Sequence, residues 1–428
     1  MISLNENIVF LSFIAFTIIG LLFKVISFYK RRNSPTITNL IKFQFLYFLC
    51  YYSFMIGLMF QGPYVYQRYI DCGMETKQIS IIMSTFNIVS SFWGLLVGYF
   101  TTMIGHKKMI IFSAFFLGLH AVCRCIGGFK FFVASSFLMG ISTASNKVVF
   151  EDWLMISLNN RNVPENFHAT IQENSALLKL LITLFITPIS SNVTKKYGSS
   201  GAFLTSSLLF FLSSMIILLF LPNVKKDEIK QKKIGYLQAL NVISKSIIQS
   251  KELLCLLAGD FFYNVYLLLY TPKWVGIHQI NKKEKLPLSQ ISSANSIALM
   301  VGAQIFSLFI NKFSYKFTLF VNFGIYVISI YCIILFYNNK NFVFFFYMIS
   351  SICDGGAGMF LRILRSRIYP KEVRSYILGF LRVPTSLTVS FILILLNNAS
   401  ILTILKTSSL FLTLTVLISF ILFFMEKQ

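Results

Sequence analysis

Runs of about twenty apolar residues recur a dozen or more times along this chain, separated by short polar breaks. A hydrocarbon core about 30 Å thick takes roughly 20 helical residues to cross, and lipid offers no partner to an unsatisfied peptide group. Such a chain folds as a set of membrane-spanning helices, all-α and polytopic, and stretches such as 203–222 and 317–337 each suffice for one crossing. Hydrophobic residues make up 56% and charged ones 12%, with mean hydropathy +0.72, which excludes a compact soluble core. The net charge of +23 does not point to nucleic acid, because Lys and Arg are spread over short loops with no single basic face. Cys50, Cys72, Cys123, Cys125, Cys255, Cys332 and Cys353 fall mostly inside apolar runs and read as small hydrophobes. Their spacing gives no metal site and nothing implies a cofactor.

The first run, Ile8 to Phe28, is too long for a signal core and is followed, not preceded, by Lys30, Arg31 and Arg32. It reads as an uncleaved anchor whose C-terminal end is cytoplasmic. Later spans fall near 43–66, 78–103, 108–128, 131–157, 170–194, 201–221, 252–272, 289–311, 317–337, 341–364, 375–396 and 400–424. Alternation puts the N-terminus outside and the C-terminus inside. His106 to Lys108, the segment Lys225 to Lys251, Lys312, Lys316, Arg365, Arg367, Lys371 and Arg374 then become cytoplasmic. One outer loop, with Lys273, Lys282, Lys283 and Lys285, runs against this balance. The long basic break gives four parts: an extra leading helix (1–32), a six-helix half (33–222), a cytoplasmic linker (223–251) and a second six-helix half (252–428). Two such halves are how the major facilitator superfamily reads from sequence, with the site between the halves near the midplane.

Local motifs carry the resemblance further. Gly98 to Lys108 resembles a degenerate copy of the facilitator loop motif, with Thr102 where an acid is usual and His106 where an arginine is usual. Four segments resemble the molybdate-anion transporter family within the superfamily. They are Gln61 to Tyr66; Gly140 to Ala144 leading to Phe150-Glu151-Asp152-Trp153; Asp260 followed by Thr271-Pro272; and Ile368-Tyr369-Pro370 leading to Leu381-Arg382-Val383-Pro384. The resemblance covers almost the whole chain. It implies twelve core helices plus a leading one, and carriage of a small oxyanion such as molybdate through a plasma membrane, by a monomer with the bilayer as surroundings and no nucleic acid.

A tetrahedral dianion presents only acceptor oxygens, so its pocket needs donors and compensating positive charge. The intramembrane cations Lys147, Arg362 and Arg382 are the candidates, with Tyr64 beside them on a helix that the resemblance makes cavity-forming. Lys179 ranks below them, and Arg362 has a rival reading as an end marker with Arg365 and Arg367. Arg124, near an outer span end, reads as snorkelling to the interface. The acids Glu151, Asp152, Glu173, Asp260 and Asp354 are candidates for proton coupling or gating, because an ionisable group at mid-bilayer is expensive and usually functional. Lys147 and Glu151, four apart, share a helix face. Asp354 opens a glycine-rich stretch, Gly355, Gly356 and Gly358, read as a close-packing surface. The histidines His106, His120, His168 and His278 are scattered and read mostly as loop residues, with no catalytic constellation, so an intramembrane enzyme is not expected. A secondary carrier is the expected class, its rivals a carrier of a sugar or organic anion and a transporter-like receptor without turnover.

Overall fold

The computed structural model describes residues 38–159, 165–222, 236–270, 288–309, 313–370, 373–396 and 399–425. Among these the secondary structure is helical, without strands. The leading span over 8–28 and the Thr271-Pro272 motif lie outside the described residues.

Helix α1 covers Thr38–Gln61 and continues through a 3-10 turn, Gly62–Tyr64, into α2, Val65–Asp71. Pro63 sits at the start of that turn, where its missing N–H costs nothing. Next come α3 (Thr76–Ile104), α4 (His106–Ile126) and α5 (Phe129–Asn159). Glu75 and Gln78 form a reciprocal capping box at the start of α3. Gly105, at φ 96°, turns the chain directly from α3 into α4, a conformation that favours glycine. Helix α6 runs from Glu165 to Phe220 and holds two crossings, bent apart only at Gly198, where φ is 69°. After the linker helix α7 (Tyr236–Gln249) come α8 (Lys251–Tyr270), α9 (Leu288–Phe309), α10 (Tyr315–Leu335), α11 (Lys340–Ile368), α12 (Arg374–Leu395) and α13 (Ile401–Phe424). Among the described residues, eight helical segments are long and apolar enough to cross a membrane by length and composition alone.

The chain divides into two compact units. One takes Asn33–Lys233 together with Leu378–Asn397, the other Met1–Arg32, Ile234–Ile377 and Asn398–Gln428. In the first unit α3 packs on α5, α1 on α6, and α4 on both α5 and α6; in the second, α9 packs on α11, α8 on α13, and α10 on both α11 and α13. In crossing order the second packs on the fourth, the third on the fourth and sixth, and the first on the sixth, so one packing plan is used twice. Most of α12 belongs by contact to the first unit.

Lipid tails are as apolar as the side chains, so close packing and polar contacts hold these helices together rather than burial from water. In the first unit Trp153 stacks on Phe43 and Tyr47 at 5.6 and 6.1 Å and donates from Nε1 to the Pro222 carbonyl at 3.3 Å. Trp93 donates to Ser145 Oγ at 2.7 Å, tying α3 to α5. Gly140 on α5 meets the α3 backbone at Phe86 and Ser90. In the second unit Gly302 of α9 and Gly355 of α11 bring the two backbones together, so the glycine-rich stretch after Asp354 is used for packing. A Cβ at Gly355 would overlap the Leu299 carbonyl. Gly355→Val is therefore expected to destabilise the protein by at least 1–3 kcal/mol, about the usual range for an overpacked core. A melting temperature equal to wild type in detergent would contradict that contact.

Candidate functional site

In the second unit the fully buried Asp260 of α8 is held by a two-bond fork from Arg365 of α11, Nε to Oδ2 and Nη2 to Oδ1, both 2.7 Å. Tyr369, just past the end of α11, donates its hydroxyl to the same Oδ2 at 2.6 Å. Burial first, then the adjacent carboxylate, pushes the Tyr369 hydroxyl above its ordinary range, so it stays a donor. Near this end of the unit Lys316 pairs with Glu252 at 2.7 Å, and Arg367 lies 4.2 Å over the Tyr315 ring while donating to its hydroxyl at 3.1 Å.

Three residues farther along α8 the environment changes. Tyr263 donates its hydroxyl to Asp354 Oδ1. Tyr266 stacks on Tyr270 at 5.3 Å and meets Tyr326 edge-on at 5.3 Å, and Tyr270 lies 6.4 Å from Tyr347. These five tyrosines are buried. The hydroxyls of Tyr266 and Tyr270 form no hydrogen bond of acceptable geometry among the described residues, although Tyr326 and Ser350 respectively come near them. Asn322 donates to the Cys353 carbonyl at 2.9 Å, fixing α10 beside Asp354. The result is a carboxylate surrounded by ring faces and phenol groups.

The first unit carries a buried arginine, Arg124, and a half-buried one, Arg382. Arg124, only 3% exposed, donates from Nε to Ser135 Oγ at 3.1 Å and from Nη2 to Tyr69 Oη at 2.7 Å, with the Tyr69 and Phe203 rings 5.1 and 5.6 Å away. His120 Nδ1 lies 2.9 Å from the Ser135 carbonyl oxygen. Nη1 of Arg124 and Nη1 of Arg382 on α12 are both buried without a hydrogen-bond partner among the described residues; Arg124 is held by its other nitrogens, whereas no side-chain hydrogen bond of Arg382 is formed among those residues. Its stem runs past Gly94 of α3, 3.6 Å from where a Cβ would stand, and its carbonyl accepts from Ser91 Oγ at 3.2 Å. An unpaired guanidinium inside a membrane helix is costly unless something brings negative charge to it.

A family model described as sugar transporters with twelve transmembrane segments matches residues 8–364. The chain belongs to this family, within the major facilitator superfamily. The facilitator's fold is similar to that of the nucleoside transporter NupG, with a TM-score of 0.63 at 12% identity over 92% of this chain and 100% of that one. A D-xylose-proton symporter gives 0.65 at 11% identity over 90% of this chain and 97% of the other. At such identities the likeness is one of fold. No curated protein matches the sequence.

Of the facilitator's sequence-predicted site residues, Asp260 and Asp354 lie in the second unit, each with a hydroxyl-bearing partner. Arg382 is placed against α3, and Tyr64 is buried in the 3-10 turn. Arg362 is exposed, its Nε folded back on the Gly358 carbonyl at 2.9 Å. Asp152 is half-buried on α5. Lys147, Glu151 and Glu173 stand on described helix, but their side chains, and with them the expected Lys147–Glu151 pair, lie outside the described residues. Three expectations need correction. Arg124 does not snorkel, because its length is taken up by Tyr69 and Ser135 inside the first unit. Arg365 is no loop charge; it is the ion-pair partner of Asp260. His120 is a fully buried residue of α4, and His106 starts that helix, so neither is a loop histidine. Among the described residues no three His, Cys, Asp or Glu side chains are grouped to hold a metal ion.

Proposed function

We propose that this facilitator is a secondary active carrier of a small oxyanion, with molybdate as the first substrate to test, working by alternating access. The observation that carries the proposal is the Arg382 guanidinium on a membrane helix, its Nη1 buried and without a partner among the described residues. A guanidinium offers two parallel donors and fixed charge to acceptor-only oxygens. Asp260 cannot serve as the competing anion there, since Arg365 and Tyr369 already occupy it. Lys147 remains a second candidate cation. Bringing a dianion into a negative-inside cell at 100 mV works against about 2.3 kcal/mol per charge. Uptake therefore calls for accompanying cations, and Asp354 with Tyr263 is the carboxylate we assign to carrying a proton. The plasma membrane, a monomer, an outer N-terminus and an inner C-terminus belong to the same proposal.

A second reading is a sugar-like or nucleoside-like solute. It is favoured by the tyrosine wall around Asp354 and by the family's description. Uptake of labelled molybdate by a host lacking its own transport, with tungstate, sulfate, D-xylose and a nucleoside as competitors, separates the two. Saturable molybdate uptake blocked by tungstate and not by xylose supports the first reading. Uptake of a neutral solute with no response to any oxyanion replaces it with the second.

A further inference from the structure

We infer that the facing polar sides of α3 and α12 form the track on which the oxyanion binds, with Ser84 and Ser390 supplying neutral donors beyond Arg382; this rests on the anion reading above. On α3, Ser84, Asn87, Ser91 and Gly94 recur at spacings of three and four, hence on one face, and the three polar residues are buried. On α12, Gly379, Arg382, Ser386 and Ser390 do the same. The two faces meet. A Cβ at Gly379 would stand 3.2 Å from the Gly94 carbonyl oxygen, and Ser91 bonds to the Arg382 carbonyl. Stepping three residues back along α3 from Gly94 to Ser91 steps three forward along α12, so the helices run antiparallel. The same register sets Asn87 alongside Ser386 and Ser84 alongside Val389, next to Ser390.

A stripe of small polar residues could be packing alone, but the hydroxyls at its far end argue otherwise. Serine and threonine in a membrane helix commonly return their hydroxyl to the carbonyl of the preceding turn. Ser91 does so to Asn87 at 2.8 Å and Thr385 to Leu381 at 2.6 Å. Ser84 and Ser390, 4% and 3% exposed, do not; both hydroxyls are buried with no partner among the described residues, as is Arg382 Nη1. Three unbonded polar atoms along one helix pair thus match a ligand that arrives with its own acceptors. Neither α3 nor α12 contains an Asp or Glu, so the track sets no negative charge against an anion. Its chemistry suits a tetrahedral oxyanion that meets two stations, Arg382 and, about two helical turns away, the Ser84 and Ser390 hydroxyls.

Purified full-length protein in detergent is titrated with sodium molybdate, tungstate or sulfate, with chloride at matched ionic strength as the control, and thermal stabilisation is followed. Wild type is expected to respond to at least one oxyanion. Ser84→Ala/Ser390→Ala should need about tenfold more anion or beyond for the same shift, the usual effect of lost hydrogen bonds to a charged group. The unliganded melting temperature should not fall, because the removed hydroxyls had no partner to lose. Thr385→Ala, whose hydroxyl is committed to its own helix, should titrate like wild type. A double variant that titrates like wild type while Arg382→Gln does not respond would overturn the track and leave the anion reading standing. A wild type that ignores every oxyanion but is stabilised by D-xylose or a nucleoside would overturn the anion reading itself, and the occupant inferred here with it.

Discussion

Asp260→Ala is expected to lower the stability of the protein by about 3–5 kcal/mol, the usual result of stranding one member of a buried ion pair. Arg365 would be left with its fork aimed at a vacant site and only 20% of its side chain accessible, so water offsets little of the loss. Asp260→Asn preserves the volume, yet it turns an NH2 group toward either Arg365 or Tyr369 and should melt early as well. Replacing both partners, as in Asp260→Leu/Arg365→Met, removes the charge problem and should recover most of the deficit. Thermal unfolding of the four proteins in one detergent checks this. If Asp260→Ala melts with wild type but fails to transport, the pair belongs to the transport cycle and its structural role is refuted.

Arg382 should behave in the opposite way. Its Nη1 has no hydrogen-bond partner and no carboxylate bonded to it among the described residues, so Arg382→Gln strands no counter-charge among them and should not lower the melting temperature. Transport should suffer instead. Arg382→Lys keeps the charge but loses the planar fork, and apparent affinity for the anion should weaken about tenfold. With Gln the loss should approach a hundredfold, the upper end of the rough range for a hydrogen bond to a charged group. Uptake measured at matched surface levels provides the comparison. Near-normal affinity in both variants would remove Arg382 from the site and leave Lys147 as the cation to examine.

Much of the fold could be read from the apolar runs, because lipid allows so few ways of satisfying a backbone. Each of the twelve spans expected after the leading one has a described helical counterpart. Gly198 is the one joint between crossings that secondary structure alone would miss, since the helix resumes at once on its far side. The charged groups were legible in proportion to their isolation. Asp260 and Asp354 stand alone in apolar surroundings and were easily picked out. Arg365 was hidden among Arg362 and Arg367 near a span end, where a charge rule for loops accounts for it without any partner. Tyr369 lies beyond the helix and is one of 20 tyrosines, so only its place beside Asp260 distinguishes it. Arg124 was misread because distance from a run's end says nothing about whether a neighbouring tyrosine will take the guanidinium. Ser84 and Ser390 gave no signal at all, since a serine that bonds its own helix and one that does not are the same letter in a sequence.

The membership of α12 in the first unit bears on how the protein is made. Residues 234–377 must be synthesised before the segment Leu378–Asn397 can join the helices with which it packs. At typical elongation rates of about 5–20 residues per second, that interval is on the order of ten seconds. During it the side of α3 that carries Ser84, Asn87 and Ser91 has no α12 to cover it. A nascent chain halted after the linker would therefore present polar helix surface to lipid or to the insertion machinery, which makes that stage the one most in need of a chaperone within the membrane.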